Sequence, residues 1–233
     1  MLPLRQLWVI LKKDILLELR TKEMILSMFI FVMLTMLVFD AAFAADKNDL
    51  TTFGGGLLWL AFLFTSFLGL NRSFVHEKDE GCFDGLLISP IDRSIIYVAK
   101  MLGNLILISV VELAAIPIFT IFFIRNPYYV HWDHLWPFLV GVMLGNFAIA
   151  GVGTFVATLA INTKRREQLL PIIGFPLLYP VLGPIVIISG TMMGGRISEA
   201  AAERVAGSMQ ILVAYDIVFF VAMAMIYDMV LGE

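Results

Sequence analysis

Six runs of apolar residues, each long enough to cross a bilayer, limit the folds open to this chain more than any motif within it. A transmembrane helix needs about 20 mostly apolar residues to span roughly 30 Å of hydrocarbon. The runs fall near Met24–Ala45, Gly54–Leu70, Ile95–Ile124, Leu135–Ile161, Leu169–Ser189 and Gly207–Val230. The third and fourth exceed one span, which allows tilt, a kink at Pro117 or extension past the bilayer. Across 233 residues 60% are apolar and 15% charged, a balance foreign to water-soluble domains of this length. Only short loops remain, so the sequence predicts one all-α integral membrane domain over residues 1–233.

The first run imitates a secretory signal, with Ala42-Phe43-Ala44 in the place of a cleavage site. Its length and the long segment before it argue for a retained first span. Cys82 is the single cysteine, which excludes an intramolecular disulfide, and it reads as a loop thiol.

Basic residues set the expected orientation. Twelve of the sixteen fall before the first span, around the loop after the second, or in Lys164-Arg165-Arg166. Lys47, Arg125, Arg196 and Arg204 make up the other side. The positive-inside rule then places both termini in the cytoplasm. The net charge of −3 singles out no partner; membrane lipid is the expected surroundings and nucleic acid is not.

Residues 1–23 carry Leu4, Leu7, Trp8, Leu11, Ile15 and Leu19 on one helical face, against Arg5, Lys12, Lys13, Glu18 and Arg20 elsewhere. This pattern predicts an elbow helix lying on the inner membrane surface. The other reading is a cytoplasmic extension of the first span.

The most polar interruption is the predicted cytoplasmic loop 71–94, centred on EKDEGCFDGLLISP. Glu77 and Glu80 begin it in water, Gly81 and Gly85 relieve the backbone, and Phe83, Leu86 and Leu87 form an apolar ridge. Pro90 ends any helix and turns the chain toward the third span. Such a ridge suits a groove on a soluble partner, and it suits a lipid surface as well.

An elbow helix, six spans and a first cytoplasmic loop running acidic-Gly, Leu-Leu-x-x-Pro and then a basic residue, Lys100, resemble the permease half of type-2 ABC exporters. Within that group the chain is similar to the haem exporter protein B (CcmB) family. The similarity covers essentially the whole chain, including GGGLLWLAFLFTSFLGLNRSF, the loop that follows and the proline-studded fifth span. The resemblance implies a type-2 ABC permease fold in the bacterial inner (cytoplasmic) membrane and a role in cytochrome c maturation. It makes Glu77–Pro90 the coupling segment that docks on an ATPase. It also implies four partners: an ABC ATPase, a haem-handling membrane protein, a small membrane protein and a periplasmic haem chaperone. ATP would be bound by the ATPase partner, haem would be the handled ligand, and ATP use would release the haem-loaded chaperone. Two alternatives stay open: export of a lipid, polysaccharide or drug, and a non-transporting scaffold that relays ATPase motion to the haem-handling partner.

The residues agree with a non-enzymatic component. No GxxxxGK[ST] occurs, and Gly54-Gly55-Gly56 leads into apolar residues instead of lysine. His76, His131 and His134 have no nucleophile arrangement beside them. No catalytic, metal or cofactor residue is therefore assigned to this chain.

Glu112 and Asp216 are the candidate intramembrane polar sites, because an ionisable group in a span usually faces protein or water. For Glu112 two other readings stand: a protonated packing residue, or a broken third span that leaves it near the outer surface. Asp216, toward the outer half of the last span, is a candidate to line a cavity. Pro171, Pro176, Pro180 and Pro184 should bend or break the fifth span, and Gly141 and Gly145 should let the fourth approach a neighbour closely. In the outer loop NPYYVHWDHLWP, His131, Trp132 and His134 are weak haem-contact candidates. An interfacial aromatic belt is the stronger reading of that loop.

Overall fold

The computed structural model describes residues 2–43, 48–79, 85, 91–123, 135–160, 163, 166–192 and 199–230. Among them are seven helices and no strand: α1 (Leu2–Thr21), α2 (Glu23–Ala42), α3 (Asn48–Asp79), α4 (Arg93–Phe123), α5 (Leu135–Ala160), α6 (Arg166–Met192) and α7 (Glu199–Val230). Helices α2 to α7 supply six segments long and apolar enough to cross a membrane, the number that hydropathy predicts.

The ends differ from the expected spans where helix-forming polar residues continue an apolar run. α7 starts at Glu199 instead of Gly207, since Glu199-Ala-Ala-Ala-Glu-Arg favours helix without being apolar. α3 runs through Asn71 to Asp79, so the stretch expected to be loop from residue 71 begins as helix. α4 is continuous past Glu112 with Pro117 inside it, which removes the broken-span reading. α6 is likewise continuous through its four prolines. Their spacing explains it: Pro176, Pro180 and Pro184 recur every fourth residue, so the missing donors lie along one side and the ladder elsewhere holds.

The amphipathic segment is a separate helix and not an extension of the first span. Lys22 breaks the ladder with a left-handed φ of 56°, where a non-glycine side chain is disfavoured. Glu18 compensates. Its Oε1 accepts a hydrogen bond from the Ile25 backbone N–H at 2.8 Å, satisfying one of the donors that α2 leaves unpaired at its start. Across this turn, Arg72 near the end of α3 donates to the Glu23 carbonyl at 3.2 Å.

Helices α3 and α5 form the centre, with 67% of their span residues buried against 22% in α2 and α7. Lipid tails are as apolar as leucine, so close packing and inter-helix hydrogen bonds hold such helices together. Glycine makes the packing close. Gly141 lies against Ile188, Gly145 against Trp59 and Ile185, and Gly153 against Leu70, so the predicted GxxxG face of α5 is the one that receives α3 and α6. Trp59 cannot easily yield there, because its indole N–H donates to Ser189 Oγ at 2.7 Å.

A methyl group on Gly145 would lie 2.5 Å from Trp59 Cη2, well inside contact distance. Gly145→Ala is expected to cost about 1–3 kcal/mol by overpacking. Thermal unfolding of the purified protein in detergent measures it. Gly183→Ala, with no heavy atom within 4 Å of the added carbon, should leave stability unchanged.

Candidate functional site

Polar side chains inside the bundle pair across helices at successive depths. Trp59 on α3 meets Ser189 on α6. At the next level Ser66 Oγ of α3 lies 3.2 Å from Glu112 Oε1 of α4, and Asn146 of α5 donates to Ser109 Oγ of α4 at 3.2 Å. Further along, Asn104 of α4 donates to Thr154 Oγ1 of α5 at 3.0 Å, and the Tyr97 hydroxyl donates to the Gly151 carbonyl at 3.2 Å. At the end of α7, the Tyr227 and Thr158 hydroxyls lie 3.2 Å apart. Each pair replaces water that hydrocarbon withholds, and each fixes the register of two helices.

Glu112 is 0% exposed, with Asn146 beside it. Ser66 has one hydrogen and two acceptors, the Phe62 carbonyl at 2.8 Å and Glu112 at 3.2 Å. If the shorter contact takes that hydrogen, the longer is complete only when the carboxyl brings one of its own. Glu112 Oε2 and Asn146 Oδ1 have no hydrogen-bond partner, so this node of three helices is under-satisfied. Asp216 is a different case. It is 6% exposed, neither carboxyl oxygen has a partner, and it lines a pocket between α5 and α7.

At the end of the bundle near Lys22, the elbow helix is fastened to α4. Lys100 Nζ lies 2.9 Å from Asp14 Oδ2, with the lysine side chain 3% exposed and the aspartate 14%. Ile10 and Leu11 enter the bundle beside them, while Leu4, Trp8 and Leu19 of the predicted apolar face stay exposed, as a helix bounded by both lipid and protein requires. Motif reading noticed Lys100 and missed Asp14. The available signal was an acidic residue three and four positions after Leu11 and Ile10, on the same helical face.

The other predicted site residues are not brought together in the described part of the chain. The backbone of Glu77 belongs to the last turns of α3. Glu80, Gly81, Phe83, Leu86, Leu87 and Pro90 lie outside the described residues, as do His131, Trp132 and His134. Gly85 is exposed, with nothing within 4 Å of an added Cβ. On α6, Ile172, Pro176 and Pro180 are exposed along one side. A proline four residues on withholds the usual donor from the carbonyls of Ile172, Pro176 and Pro180.

A family model described as CcmB protein matches residues 5–227, from the elbow helix to the last turns of α7. Heme exporter protein B of Rhodobacter capsulatus is 28% identical over 155 residues, covering 66% of this chain and 67% of that protein. Heme exporter protein B of Bradyrhizobium diazoefficiens is 25% identical over 194 residues, 82% and 84% of the two chains. The Haemophilus influenzae protein of the same name is 21% identical over 173 residues, 74% and 76%.

The buried ion pair yields a thermodynamic cycle. Asp14→Ala strips Lys100 of its carboxylate and should cost about 3 kcal/mol, because a charge is left in a poorly solvated place. Adding Lys100→Met should recover most of that loss. Unfolding of the three purified variants in detergent checks it; a double variant as unstable as the sum of the singles would contradict the pairing.

Proposed function

Because the chain belongs to the CcmB family, we propose that it is the membrane permease component of an ABC-type haem exporter of cytochrome c maturation, coupling a partner's ATP hydrolysis to haem export or to release of a haem-loaded periplasmic chaperone. The observation that carries the reading is the family match along residues 5–227, which reaches all seven of the described helices. The name shared by the three relatives, Heme exporter protein B, points to haem as cargo and to a complex of several proteins.

In this reading the protein lies in the bacterial inner membrane with both termini in the cytoplasm, as the distribution of its basic residues favours. The inner end then carries the elbow helix, the Arg72 contact to Glu23, the Lys100 to Asp14 ion pair and the segment Glu77–Pro90, which begins in the last turns of α3 and leads toward α4. That segment docks on the ABC ATPase, which binds ATP in place of this chain. Force applied there enters α3 and α4 directly, since both helices border it. It reaches α1 through Lys100 and Asp14. The exposed proline side of α6 bears carbonyls short of donors, which hydrocarbon penalises, so this face meets protein or water and is where the bundle gives way. The haem-handling membrane protein, the small membrane protein and the haem chaperone are the partners on that path, and haem is handled by them or passed with them.

Leu86→Asp with Leu87→Asp should detach the ATPase while leaving this chain inserted in the membrane, and Glu80→Arg should act in the same direction. A charge in a buried hot spot costs about 2 kcal/mol or more, roughly a thirtyfold loss of affinity. Co-purification of the ATPase with the tagged chain measures it. Undiminished recovery would return the ridge to the lipid surface and remove the coupling role.

A further inference from the structure

Asp216 belongs to no inter-helix pair. Tyr215, its neighbour, has already given its hydroxyl hydrogen to the Leu177 carbonyl on α6 at 2.7 Å. The pocket that Asp216 lines between α5 and α7 is bounded as well by Phe147, Tyr215, Phe219, Phe220 and Met223. It is partly open, and Phe147, Phe219 and Phe220 at its edge are only half-buried. An acidic group set among aromatic residues matches an organic cation: the carboxylate supplies charge and aromatic rings beside it can add cation–π attraction. A hard metal ion is a poor fit, since it needs six or more oxygen ligands and one carboxylate is the only acidic group in the lining.

Depth selects the source of the cation. Asp216 sits at the middle of the Ala201–Tyr227 span, where a free ion from water has no route through hydrocarbon. None of the sixteen lysines and arginines of this chain lies in the central third of a span, and Lys100, nearer one end of α4, is held to Asp14. A second copy of the chain therefore has no basic group to offer at this level. Beside the pocket, Ile217, Val218, Val221 and Met225 of α7 are exposed, an apolar track on which a further helix can lie. We propose that the Asp216 pocket receives the ammonium or guanidinium group of a lysine or arginine carried at mid-membrane by a transmembrane helix of a different protein.

This inference goes beyond the transport reading and does not depend on what the complex carries. To test it, Phe220 at the pocket edge is replaced by photoreactive benzoylphenylalanine in the full chain, membranes of the native host are irradiated, and the cross-linked peptide is sequenced by mass spectrometry. The expected product is an apolar span of another protein with a lysine or arginine within it. In the same background Asp216→Asn should lower the yield at least about tenfold, while Asp216→Glu, which keeps the charge, should retain it. Cross-linking to lipid alone, to a second copy of this chain or to a span without a basic residue would overturn the proposal. So would a basic span captured equally well with Asp216→Asn. The identity of the product is read without the Asn variant, so the test survives poor insertion of that variant.

Discussion

In hydrocarbon a hydroxyl, amide or carboxyl group has no water to turn to, and the long helices of this chain are held in register by the partners such groups find on one another. The apolar majority of the sequence places the helices in the membrane without specifying which face meets which, because leucine against leucine and leucine against lipid are nearly equivalent there. Trp59 with Ser189, Ser66 with Glu112, Asn104 with Thr154 and Thr158 with Tyr227 each tie a different pair of helices. The glycines of α5 then allow the approach that these bonds demand. Trp59 stands over Gly145 and Leu70 over Gly153, so α5 comes close to the same helix, α3, that Trp59 bonds to α6.

Against this well-tied centre, two parts are built differently. α6 joins the core through Ser189 and through the Leu177 carbonyl, yet on its exposed side prolines thin its own hydrogen-bond ladder. α1 is bound to the N-terminal part of α4 by the Lys100 to Asp14 pair and the burial of Ile10 and Leu11. In the proposed role these are the receiving and yielding ends of one device, with the hydrogen-bonded α3, α4 and α5 between them. The under-satisfied polar atoms at Glu112 and Asn146 lie among those three helices, so the bonding at the centre is not complete.

Hydropathy made the six spans legible, because crossing a bilayer is a requirement on composition alone. The elbow helix was legible for a similar reason, and Gly141 and Gly145 announced a close contact by spacing. Helix ends were less readable, since Asn71–Asp79 and Glu199–Arg204 continue helices with residues that hydropathy counts as loop. The face of α1 was read only in part. An interfacial helix has apolar neighbours on two sides, so the stripe from Leu4 to Leu19 does not tell which residues turn to lipid and which to α4. Partners were not legible at all. Glu112 stood out as a costly residue in a span, but nothing local to it names Ser66, and nothing near Asp14 names Lys100. Those pairings are long-range facts of the fold.

In the proposed role, motion delivered at the cytoplasmic end of this bundle is spent on releasing a haem-loaded chaperone, with haem chemistry done by neighbouring proteins of the complex. The most direct measurement follows haem bound to the chaperone in membranes that hold the full assembly, with this chain present or deleted, before and after ATP is added. ATP is expected to free loaded chaperone only when this chain is present; without it, loaded chaperone accumulates on the membrane complex. Loaded chaperone released at the normal level in its absence would contradict the claim, and an absence of any loaded chaperone would point instead to haem passing through the chain itself.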